Sequence, residues 1–175
     1  DTALTLCGES GRVLDLAQFR LIEAVVMHEL GHQQEAEQYW EQAIDLAYRI
    51  KYRIAEFRAY MVKALFAFDQ NQESEGLSYL GKALTLGKEK GYFAHTIDRP
   101  NALADLCMKA LEAGIEVDYV QECIRRHKLI PEIPPKHLEN WPWPVKIFTL
   151  GRFGLFHDDK PVRFSRKVQQ KPLAM

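Results

Sequence analysis

The sequence predicts a mainly α-helical chain, built from antiparallel helix pairs stacked side by side and followed by a short antiparallel β-meander. Three observations predict it. Apolar residues recur three or four apart through most of the first 130 positions, the spacing of one helix face. A shift of about 40 residues superposes Ala24 on Ala64, Glu35 on Glu75, Tyr39 on Tyr79, Ala43 on Ala83 and Leu46 on Leu86, with Gly31 falling on Asn71. Five of the eight prolines lie between Pro131 and Pro144, and the runs beyond them are short and β-type.

The first helix is expected from about Val13 to Leu30. Leu21-Ile22-Glu23-Ala24-Val25-Val26-Met27 is apolar on nearly every side, which suits a helix covered by neighbours in more than one direction. Gly31 then reverses the chain. Gly and Asn adopt left-handed backbone angles most easily, so the match of Gly31 to Asn71 is a physical one. The second helix, about Gln34 to Lys51, sets Ala36, Tyr39, Trp40, Ala43, Ile44 and Ala47 against Glu35, Glu37, Glu41 and Asp45. A second pair repeats the design. Ile54 to Phe68 carries Met61, Ala64 and Leu65, and Glu73 to Lys90 carries Leu77, Leu80, Ala83 and Leu84, with acids at its start and lysines at its end before Gly91. In the third pair Asp98 is a candidate cap, Pro100 fits the first turn, and Leu103, Leu106, Cys107, Ala110 and Leu111 share a face until Gly114. Val117, Val120 and Ile124 stripe a last helix to about Lys128, where Arg125, Arg126, His127 and Lys128 complement the helix dipole.

His28-Glu29-Leu30-Gly31-His32 carries the letters of a zinc-peptidase signature. That chemistry needs both histidines one turn apart on a continuous helix, with Glu29 activating a bound water. A turn at Gly31 breaks the spacing, so His28, Glu29 and His32 are rejected as a metal site. A third ligand is also hard to find: Gln38 stands where one peptidase class needs a histidine, and Glu56 lies in a segment the repeat occupies.

At 175 residues and 47% apolar the chain is expected to be soluble and globular, and a net charge of -1 favours no class of partner. Cys7, Cys107 and Cys123 are odd in number and far apart, which argues against a disulfide framework or a thiolate metal site and for the cytoplasm. No apolar run approaches a membrane span and no signal pattern opens the chain. Beginning at Asp1 and ending at Met175, it reads as a piece of something longer. The expected organisation is the end of a preceding element or a tail at 1–12, an array of about three helix pairs at 13–130, a Pro/Trp-rich linker at 131–144, and a β-segment at 145–175. In the β-segment, strands are expected at 145–150, 153–156 and 161–164 around a turn at His157-Asp158-Asp159-Lys160.

Leu30-Gly31, Glu35-Ala36, Tyr39-Trp40 and Ala43-Ile44 resemble the tetratricopeptide repeat, in the longer form found in sensor regions of MalT-like regulators. The resemblance spans about residues 13 to 130 and implies a right-handed superhelix. The third pair departs from it, lacking the small and aromatic signature positions in its second helix. Val145-Lys146-Ile147-Phe148-Thr149-Leu150-Gly151-Arg152-Phe153, then Pro161-Val162-Arg163-Phe164, Arg166-Lys167 and Gln170-Lys171-Pro172-Leu173, resemble the opening of an OmpR/PhoB-type winged-helix domain of bacterial transcriptional activation proteins. Asp158-Asp159-Lys160 stands where that family usually has Asp-Gly. The base-reading helix of such a domain would lie beyond Met175.

The expected function is accordingly a segment of a bacterial transcriptional regulator, a sensor or protein-interaction array in signal transduction coupled to a DNA-binding domain. A protein or small-molecule inducer is expected at the array, and DNA through the complete downstream domain. A stand-alone adaptor for a peptide or protein is the alternative, and a zinc peptidase the third. Arg163, Arg166, Lys167 and Lys171 are candidates for phosphate-backbone contacts, weighed evenly against a solvated face. Trp141 and Trp143, flanked by prolines, are expected to pack rather than to stack on bases. His95, His137 and His157 show no spacing for a joint site. No nucleophile with its base and no glycine-rich phosphate loop is visible, so neither an enzyme, a cofactor nor a membrane partner is expected.

Overall fold

A computed structural model describes residues 13–93, 101–150, 153–158 and 160–163. These fall into two compact units, one ending at Leu138 and one beginning at Glu139. The first holds six helices among the described residues: α1 (Val13–Glu29), α2 (Gln33–Arg49), α3 (Arg53–Asp69), α4 (Glu73–Lys90), α5 (Ala102–Glu112) and α6 (Val117–His127). Each packs against its chain neighbour as an antiparallel partner in the pairs α1/α2, α3/α4 and α5/α6. In addition α1 lies on α3 and α3 on α5, while α2 lies on α3 and α4 on both α5 and α6.

The pairs recur with a fixed period. α1 and α3 are both 17 residues long and begin 40 residues apart, as do α2 and α4. The turns explain the regularity. Gly31, Lys51, Asn71 and Gly91 take φ of 80°, 53°, 59° and 69°, spaced 20 residues apart, and Gly114 and Lys128 do the same further on. After each left-handed residue the next amide reaches back five positions: His32 to Met27 at 2.9 Å, Tyr52 to Ala47 at 2.9 Å, Gln72 to Ala67 at 2.8 Å. These bonds satisfy carbonyls that a helix end leaves open, and the same residue starts the next helix. Lys51 pays a steric cost for this conformation that glycine does not. Lys51→Gly is expected to raise unfolding stability by about 1 kcal/mol, read as a higher urea midpoint at unchanged slope.

The core follows the stripes. Ala36, Trp40, Ala43, Ile44 and Ala47 of α2, and Leu80, Ala83, Leu84 and Leu86 of α4, are buried. α3 is the central helix, buried over most of its surface between α1, α2, α4 and α5. The sequence suggested that α1 would be covered from more than one side. In the structure α2 and α3 cover one flank, while Ile22 and Val26 on the other are each 46% exposed. The candidate cap Asp98 and Pro100 lie outside the described residues, and Asn101 stands at the N-cap position of α5 instead.

The second unit carries β1 (Val145–Phe148), β2 (Gly154–His157) and β3 (Lys160–Pro161) in an antiparallel sheet of order β1-β2-β3. Val145 pairs with His157, Phe148 with Gly154, and His157 with Lys160. The hairpin turns through Asp158 at φ 48°, an angle that aspartate tolerates. The strands are shorter than expected. β1 stops at Phe148 and leaves Leu150 exposed, and β3 ends at Pro161, beyond which the Val162 amide still donates to the Leu155 carbonyl at 2.8 Å. Trp141 is buried with its ring 5.9 Å from that of Trp143, the packing role expected of it.

Candidate functional site

The His28-to-His32 motif folds as a corner. α1 ends at Glu29, Gly31 reverses the chain, and His32 begins α2. The His28 ring is stacked at 4.0 Å on Phe66 of α3, and its Nε2 lies 2.9 Å from Asp69 Oδ2. His32 is exposed, with Nδ1 3.1 Å from Glu35 Oε1. The two imidazoles therefore serve different neighbours. They do not stand one turn apart on one rod. Among the described residues no group of three or more His, Cys, Asp or Glu is placed to share a metal ion.

A groove of about 460 Å³ runs where α1, α3 and α5 lie side by side. Leu65, Phe68 and Leu106 floor it, and Glu29, Asp69 and Asp105 contribute acidic groups from the three successive helices. Partial burial raises the pKa of Asp105, helped by the nearby Glu132 and Asp69 carboxylates. Lys109 reaches over the Phe68 ring at 5.5 Å and binds Glu73 at 3.0 Å.

A second cluster ties α2, α3 and α4 together. Trp40 donates its indole Nε1–H to the Ala59 carbonyl at 2.7 Å and meets Tyr79 edge-on at 5.7 Å. Lys63 Nζ lies 5.2 Å from the Trp40 ring and is held by Glu37 at 2.5 Å and Glu75 at 3.7 Å. Lys82 lies 4.7 Å over Tyr79, and the Tyr48 and Tyr60 hydroxyls bond to each other. Burial, then the Tyr48 bond, pushes the Tyr60 phenol well above its ordinary range. Sequence reasoning passed over this cluster. Its signal was a lysine amid the apolar run Met61-Val62-Lys63-Ala64-Leu65, since such a charge needs a partner.

Two of the cysteines come together in the fold. Cys107 and Cys123, far apart in sequence, meet across α5 and α6 as buried free thiols. Their mutual hydrogen bond and burial hold Cys107 protonated. They line a small apolar cavity with Phe57, Leu80 and Tyr119. Cys7 and His95 lie outside the described residues. His137 pairs with Glu112 at 2.8 Å and His157 with Asp158 at 3.5 Å, so these two histidines do not share a site. At the end of α6, Arg126 binds Glu122 and places its guanidinium 3.9 Å over the Phe93 ring, and His127 bonds the Phe93 carbonyl. These contacts add packing to the dipole role expected of that basic turn.

Of the basic candidates, Arg163 is exposed just beyond β3, while Arg166, Lys167 and Lys171 lie outside the described residues. No helix among the described residues is long and apolar enough to cross a membrane. Comparison of the chain with protein-family models, with curated proteins and with solved structures gives no match.

Proposed function

We propose that the chain is a segment of a bacterial transcriptional regulator, in which a tetratricopeptide-like helical array is joined by a proline-rich tether to the opening sheet of a winged-helix DNA-binding domain. The observation that carries the reading is the recurrence of helix length, left-handed turn and buried stripe every 40 residues. Pairs built this way stack, and stacking lines up equivalent helices along a groove. The groove along α1, α3 and α5 is a surface of that kind.

The sheet supports the second half of the reading. Val145 and Ile147, which share one face of β1, are more than half exposed, an apolar face that suits a sheet packing against helices supplied further along a polypeptide. Its basic groups, Lys146, Lys160 and Arg163, can neutralise phosphates but carry no base-reading element. In mechanism, an inducer that binds one arrangement of the array better than another shifts the population and changes how the DNA-binding domain is presented.

Titration of labelled duplexes tests the proposal. This chain is expected to bind DNA weakly, without sequence preference, and with an affinity that falls as salt rises, by a log-log slope of about -0.9 per phosphate neutralised. The polypeptide carrying the rest of its reading frame is expected to select one duplex over competitors. Sequence-selective binding by this chain contradicts the division of labour. A stop codon directly after Met175 leaves the adaptor reading in its place.

A further inference from the structure

The first part of the proline-rich stretch belongs to the helical unit, which ends only at Leu138. Pro131 and Pro135 are buried, whereas Glu132, Ile133, Pro134, Lys136 and His137 are exposed. Ile130 and Ile133, more apolar than either proline, are each left 79% open. Position rather than hydrophobicity selects what is covered, so the segment lies with one side against a surface. Proline suits that role, because its fixed φ leaves little backbone freedom to lose on docking. Two short turns shape the segment: the Lys136 amide donates to the Pro134 carbonyl at 2.8 Å, and the Leu138 amide to the Pro135 carbonyl at 3.0 Å.

The charged groups identify the surface as α5. His137 Nε2 lies 2.8 Å from Oε1 of Glu112, the last residue of that helix. Glu132 lies within electrostatic reach of Asp105, near the start of the same helix. Asp105 and Glu112 stand at i and i+7, so they share one side of α5. The segment therefore follows the helix in the same direction, 132 beside 105 and 137 beside 112. Its two contacts work in opposite senses. The His137 bond holds the segment down, while Glu132 meets Asp105 carboxylate on carboxylate. Asp105 also lines the groove with Asp69, so one acidic group serves the groove and the segment together.

We propose that residues 131–138 form a strap along α5, anchored by Pro131, Pro135 and His137, and that the charge on Asp105 sets how firmly the strap is held. It links the groove to the chain that leads into the sheet. Neutralising Asp105 from the groove side removes the repulsion on Glu132 and tightens the strap. With Asp105 ionised the strap opens more often, and each opening adds residues 131–138 to the chain between α6 and β1. The strap requires no particular function of the sheet, so it stands apart from the DNA-binding reading.

Limited trypsin digestion tests the proposal at the Lys136–His137 bond. Cleavage is followed by mass spectrometry in the whole chain, and each rate is divided by that of the same bond in a matching synthetic peptide of residues 129–141. The ratio measures how often the strap opens. The bond is expected to be cut about 10-fold more slowly in the chain than in the peptide, the protection of a docked segment that opens locally. Glu132→Gln and Asp105→Asn are each expected to slow cutting by about a further 2- to 5-fold, the range of one exposed charge interaction. The double substitution is expected to do no more than either alone, because both remove the same repulsion. Glu112→Ala, which takes away the partner of His137, is expected to speed cutting by about 2- to 5-fold. Glu132 lies outside the helices, so its variant keeps the test open should a change in α5 perturb folding. Cutting as fast as in the peptide overturns the strap. Single effects that simply multiply in the double variant overturn the link through Asp105, and a rate unmoved by Glu112→Ala overturns the anchor at His137.

Discussion

Trp40→Ala is expected to cost about 3–5 kcal/mol of unfolding stability, the range for removing a buried tryptophan when the surroundings relax only in part. The indole is 7% exposed and sits where α2 meets α3. Its loss takes away the bond to the Ala59 carbonyl, the edge contact with Tyr79 and the aromatic face beneath Lys63. Lys63 would keep Glu37 and Glu75, so its charge stays compensated and the cost is mainly one of cavity and packing. A urea titration followed by far-ultraviolet circular dichroism measures it, because Trp141 and Trp143 would confuse a fluorescence signal. A loss below about 1 kcal/mol, the level of an ordinary surface change, would mean that Trp40 does not join the first pair to the second.

The same substitution six residues apart in α4 is expected to act with opposite signs. A Cβ at Gly87 would lie 2.9 Å from the Phe57 ring and would run into the Tyr119 hydroxyl. Both rings are buried, and Tyr119 is tied through its hydroxyl to the Tyr92 carbonyl, so neither can step aside cheaply. Overpacking of this kind costs about 1–3 kcal/mol. Replacing a helical glycine by alanine returns about 1 kcal/mol, so Gly87→Ala is expected to lower stability by up to about 2 kcal/mol net. At Gly81 nothing lies within 4 Å of the added carbon, and Gly81→Ala is expected to gain close to the full helical increment. Thermal melts of the two variants side by side decide the matter. Two gains would show that α4 and α6 are not packed as closely as Gly87 requires.

Much of the first unit was legible because its determinants are local. α4 begins and ends where the acids, the lysines and Gly91 place it, and the ends of α1, α2 and α3 fall within two residues of expectation, whereas α5 begins at Ala102 rather than next to Asp98. Gly31 and Asn71 do at one period what their backbone preferences allow, which settles the corner at His28 and His32 without reference to the rest of the molecule. Lys51 was not legible as a turn. A lysine has no preference for left-handed angles and takes one here because the flanking helices must pack. The candidate sites were less visible. The groove acids Glu29, Asp69 and Asp105 lie about 40 residues apart and converge only because α1, α3 and α5 align. The β-strands are shorter than their apolar runs, since β1 ends at Phe148 and β3 at Pro161 while Leu150 stands exposed.

The sequence by itself determined where this chain turns and which face of each helix is apolar, since both follow from backbone preference and residue spacing within a few positions. Only the tertiary structure decided which of those faces are covered. Val62 and Ile22 are equivalent in spacing and in chemistry, and one is buried while the other is open because, among the described residues, a helix pair lies on the first and not on the second. Burial depends on a neighbour distant in sequence, as it does for the meeting of Cys107 with Cys123 and for the rings that enclose Lys63.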